Sequence, residues 1–63
     1  MMYLWEVWAH PEPDSSKYTP HGDEALYRVV ALSAENAIRQ AQRAGALTII
    51  SVDRKEEIDA VEE

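Results

Sequence analysis

The chain has 63 residues, 12 of them Asp or Glu and 6 Lys or Arg, for a formal net charge of −6. That length allows one small domain that buries only about 60% of the surface its unfolded chain exposes, and at this size stability commonly draws on disulfides, a metal or a partner subunit. No cysteine is present, which excludes disulfides, thiolate chemistry and zinc-thiolate sites, and the acidic balance repels phosphate backbones and so disfavours direct nucleic-acid binding.

Hydrophobic residues make up 46% of the chain and fall in periodic blocks, which marks a folded domain and not a disordered one. The opening Met1-Met2-Tyr3-Leu4-Trp5-Glu6 has neither a basic start nor a long apolar core. No apolar run approaches the ~18 residues of a membrane span. The expectation is a soluble cytoplasmic protein forming one domain over residues 1–63, with a loop over 10–24 and an acidic tail over 53–63.

Tyr3 to Ala9 reads as a strand from its aromatic and β-branched content. The two-residue period puts Tyr3, Trp5 and Val7 on one face and Leu4, Glu6 and Trp8 on the other. The next segment, residues 9–25, gathers all three prolines and both histidines. A connection of this length exceeds an ordinary hairpin loop, and loops past about 12 residues are functional or disordered. His10-Pro11-Glu12-Pro13 is expected to be extended, because proline moves the preceding residue away from helix. Thr19-Pro20-His21-Gly22 suits a reverse turn, with proline second and glycine fourth.

The same loop holds the residue types of a reactive centre without their usual arrangement. His10 and His21 with Glu12, Asp14 or Asp23 are the kinds of side chain that bind metals, but their spacing matches no compact ligand motif. A histidine base needs a nucleophile in reach and a third group to orient it. None of Ser15, Ser16, Thr19, Ser33, Thr48 and Ser51 sits in such a setting. No metal, cofactor or catalytic residue is therefore assigned, and the protein is not expected to be an enzyme. Tyr18 has two readings, a partner-pocket anchor or a lid over Trp5 or Trp8.

Ala25 to Leu32 is a second strand with Tyr27, Val29 and Ala31 on one face and Leu26, Arg28, Val30 and Leu32 on the other. Between Ser33 and Gly45 the period becomes helical. Ser33 is an N-cap, Glu35 and Arg39/Arg43 suit the two ends of the helix dipole, and Gly45 closes the helix. Ala34, Ala37, Ile38, Ala41 and Ala44 form one apolar stripe, so the helix is placed at Ala34 to Ala44. Leu47 to Val52 is a third strand with apolar residues on both sides. In the tail, Ile58 and Val61 are three apart, as a short helix packing back on the body would have them.

These elements predict a small α+β domain in ββαβ order, with the first two strands antiparallel. A right-handed crossover would make the second and third strands parallel in a three-stranded mixed sheet. The aromatics of the first strand suit a central position. One short helix covers one face of such a sheet, leaving Leu4, Trp8, Leu26, Val30 and Leu32 on the other, joined by members of the third strand. Either a partner covers that face, or the tail and the Tyr18 loop fold across it.

The expected function is a small acidic protein-binding module that docks on or occludes a partner protein, the candidate partners including a second copy in a homodimer. One use that fits is inhibition of a nucleic-acid-handling complex by blocking its basic surface. Small viral counter-defence proteins work this way, an analogy of size and charge alone. The partner-binding candidates are Leu4, Trp8, Tyr18, Leu26, Val30, Asp53, Glu56, Glu57 and Asp59, with Glu62 and Glu63 further along the acidic run. The alternatives are an accessory subunit whose loop enters a neighbouring enzyme, and a nucleic-acid binder using Arg39 and Arg43 on one helix face.

Overall fold

The computed structural model describes residues 2–58. They form β1 (Met2–Pro11), β2 (Ala25–Ala31), α1 (Ala34–Arg43) and β3 (Ala46–Ile58). The sheet order is β2-β1-β3, with the aromatic first strand in the middle. Both outer strands run antiparallel to β1. The expected mixed sheet is thus corrected to a purely antiparallel one. β2 and β3 do share a direction, as the crossover requires, but β1 lies between them and they form no parallel ladder.

The helix forms where its local signals coincide. Ser33 has extended backbone, and its hydroxyl accepts a hydrogen bond from the Asn36 amide at 3.3 Å. Gly45, just past the end, has φ +111°, a conformation that a side chain disfavours. Ala37 and Ala41 are fully buried against the sheet, whereas Ala34 and Ala44, at the two ends of the expected stripe, are exposed. With so little side-chain volume between the layers, the helix lies close on Trp5, Val7, Ala9, Tyr27, Ala31 and Ala46, which complete the core. The Trp5 indole N–H donates to the Ala31 carbonyl at 3.0 Å, so the largest core side chain is also paired.

β3 departs furthest from expectation. Its register against β1 shifts after Leu4, Trp8 and His10. Each shift is a bulge, and Lys55, Ile50 and Leu47 are the residues left without an opposite number. The core side of β3 is therefore Ala46, Ile49 and Val52, spaced by three and not by two. The strand also continues through Asp53 to Ile58, which corrects the expected tail helix over that stretch. Ile58 pairs with Met2 in the sheet, and Val61 lies outside the described residues.

The loop between β1 and β2 folds by successive turns: Ser15 N–H to Glu12 C=O, Tyr18 N–H to Ser15 C=O, and Gly22 N–H to Thr19 C=O at 3.1 Å, which closes the expected Thr19–Gly22 turn. The Glu12 amide donates to the Gly45 carbonyl at 2.7 Å, tying the loop to the helix end. Lys17 lies 5.5 Å from the centre of the core-facing Tyr27 ring. These contacts hold the loop on the helix side of the sheet.

Candidate protein-docking face

The sheet has one face under α1 and one that no described segment covers. Alternation along β1 sends Trp5, Val7 and Ala9 into the core and Leu4, Glu6, Trp8 and His10 to the open side. The register then assembles rows across the open face. One row is Val30–Leu4–Glu56, the next Arg28–Glu6–Asp53, the next Leu26–Trp8–Ser51. Four expected partner-binding residues, Leu4, Trp8, Leu26 and Val30, therefore meet in one patch. Trp8 is 36% and Val30 40% exposed, while Trp5, three residues away on the core face, is 9% exposed.

The middle row carries the electrostatics. Arg28 Nε lies 3.3 Å from Glu6 Oε2, a cross-strand ion pair with a mostly exposed arginine. Asp53 is the register neighbour of Glu6 on the other side. Two carboxylates thus sit side by side, an unfavourable cross-strand pairing, and no ion pair to Asp53 is found among the described residues. On this face β2 presents Leu26 and Val30 about the single cation Arg28, which is paired with Glu6; β1 adds Leu4 and Trp8 on either side of Glu6; and β3 adds an acidic flank of Asp53 and Glu56.

The remaining candidates fall elsewhere. Glu57 is opposite Tyr3 and so on the helix side of the sheet, not with Glu56 as the run of acids suggested. Tyr18 is 44% exposed on the loop, away from the open face. Asp59, Glu62 and Glu63 lie outside the described residues. The third strand was expected to add apolar residues to the open face, but its register positions there are Thr48, Ser51, Asp53 and Glu56. Ile49 and Val52 turn to the core, and the exposed Leu47 and Ile50 are bulge residues. Sequence reasoning missed Glu6 and Arg28 as members of the site. Their signal was present: each interrupts the apolar face of its strand once, at positions that pair only when the register is known.

Other surfaces are shallow or already engaged. A cleft of about 430 Å³ at the far end of the sheet is lined by Tyr3, Arg54, Lys55, Glu56 and Glu57. Its main cation, Arg54, already lies 4.8 Å from the centre of the Tyr3 ring. On α1, Arg39 and Arg43 line a smaller cleft with Asn36 and Gln40. Arg39 is bonded to Glu35 at 3.3 Å, and Gln40 to the Val30 carbonyl. His10 is in β1 opposite Thr48, whereas His21 is in the Thr19–Gly22 turn. No group of three or more metal-ligating side chains comes together among the described residues, nor is any described helix long and apolar enough to cross a membrane. No family model, curated protein or solved structure matches this chain.

Proposed function

We propose that this protein is a small, non-catalytic protein-binding module that acts by docking its open sheet face on another protein surface. The observation that carries the reading is the patch of Leu4, Trp8, Leu26 and Val30, exposed or half-buried around the Glu6–Arg28 pair while the opposite face is packed under α1. Apolar patches of this kind mark interaction surfaces, and a chain of 63 residues gains burial that its own core is too small to supply. Tryptophan and arginine, which this face carries in neighbouring rows, are also residue types that dominate interface energetics. The acidic flank of Asp53 and Glu56 suits a partner that presents cations, and occlusion of a partner's basic surface is one use of such a face. The accessory-subunit reading has one supporting feature, the exposed Tyr18 on a loop whose base is tied to Gly45.

Site-specific photo-cross-linking in the native host tests the proposal. With benzoylphenylalanine placed at position 26, on the open face, discrete protein adducts are expected, and at position 35, on the outer helix surface, none. Adducts from position 35 and none from position 26 would refute docking through the sheet. Adducts from position 18 alone would favour the loop.

A further inference from the structure

We infer that the outer edge of β2 is a second binding surface, which takes an extended segment of another protein as a further strand of the sheet. It is independent of the open face. β1 occupies the middle, so β2 and β3 each have one edge without a partner strand. The two edges differ. β3 carries three register shifts and an unbroken charged run from Asp53 to Glu57, devices that keep other strands from pairing. β2 has neither: its seven residues pair with β1 without a shift, contain no proline and carry one charge, Arg28.

Two hydrogen bonds identify the backbone groups that look outward. The Ala31 carbonyl accepts the Trp5 indole N–H from β1 in a buried bond, whereas the Val30 carbonyl accepts Gln40 Nε2 in an exposed one at 2.9 Å. Successive residues of a strand direct their backbone groups to opposite edges, so Leu26, Arg28 and Val30 share the outward direction. Among the described residues, β2 has no backbone hydrogen bonds beyond its ladder with β1. Gln40 engages the Val30 carbonyl and marks one end of the open run. The three outward amides and the carbonyls of Leu26 and Arg28 remain, spaced two residues apart. An extended chain matches that spacing, whereas a helix uses its own backbone groups internally. Leu26 and Val30 flank Arg28 on the open side, so the fitting segment places apolar residues two before and two after a polar one. Pairing β2 with β2 of a second copy would join two chains of net charge −6, which favours a segment of a different protein.

Residue-resolved amide hydrogen exchange of the full chain tests this with a synthetic probe of that pattern, Lys-Thr-Val-Thr-Thr-Thr-Val-Thr-Lys. In the free protein the Tyr27 and Val29 amides, directed at β1, are expected to exchange slowly and those of Leu26, Arg28 and Val30 quickly. Probe at about ten times its Kd is expected to slow the latter three about tenfold. The same probe N-methylated at every amide lacks the donors and is expected to slow none of them. Unchanged exchange at all three amides up to the solubility limit of the probe would overturn the inference. Equal slowing by the methylated probe would overturn strand addition as the mode of binding. Slowing that grows with protein concentration, without any probe, would make a second copy the occupant and overturn the foreign segment.

Discussion

Val7 is the largest fully buried side chain of the core, and its environment sets the stake of a single substitution. Val7→Ala removes two methyl groups and leaves a cavity under α1, at a cost of about 2 kcal/mol. A domain of 63 residues has a total stability of roughly 3–9 kcal/mol. A clear fall in the urea midpoint is therefore expected, and an unchanged midpoint would contradict the packing of helix on sheet. Tyr27 makes the opposite case. Its ring is buried, and its hydroxyl is enclosed without a hydrogen-bond partner among the described residues. An enclosed polar group without a partner costs about 1–3 kcal/mol, so Tyr27→Phe is expected to stabilise, by about 1 kcal/mol. Loss of stability in the same urea titration would show that the hydroxyl is paired. The sequence marks Tyr27 as core-facing by period alone; the isolation of its hydroxyl depends on how the loop and helix close around it.

At the scale of elements, α1 was legible and β3 was not, for different physical reasons. The helix is specified by neighbours in sequence: Ser33 at its start, alanines on its inner side, Gly45 at its close. Gly45→Ala is expected to cost at least about 1 kcal/mol, because the backbone there is at φ +111°. An added Cβ would also meet the Ser15 hydroxyl at 2.9 Å. Adding Ser15→Gly should recover only the part owed to that contact, and full recovery in a thermal melt would show that the backbone carries no strain. β3 is specified by its partner strand. Its three shifts against β1 break the two-residue period, so apolar residues that look two-sided in sequence divide differently in space. The adjacent isoleucines report on this. Ile49→Lys sets a charge among core residues and is expected to cost more than about 3 kcal/mol, whereas Ile50→Lys, on an exposed bulge residue, should stay within about 0.5 kcal/mol. Equal effects in dilute urea titrations would rule out a bulge at Ile50. The mixed sheet failed for a related reason: the crossover fixes the direction of β3 relative to β2, but adjacency depends on which strand takes the middle.

At the scale of the whole molecule, one short helix leaves half of the sheet's surface to find cover elsewhere. The shortfall was readable from the number of apolar positions in the first two strands, whose open-face residues Leu4, Trp8, Leu26 and Val30 meet as expected. The acidic flank was readable only as a run of charge. Strand pairing divides that run, sending Asp53 and Glu56 to the open face and Glu57 to the other. The chain carries two tryptophans, one on each side of the sheet, and they allow the most direct measurement. In dilute solution, acrylamide quenching of Trp5→Phe reads Trp8 alone, and of Trp8→Phe reads Trp5 alone. Ready quenching and red-shifted emission are expected from Trp8, weak quenching and blue-shifted emission from Trp5. Two equally shielded indoles at dilution would mean that the chain covers both faces by itself, and the docking face would not exist.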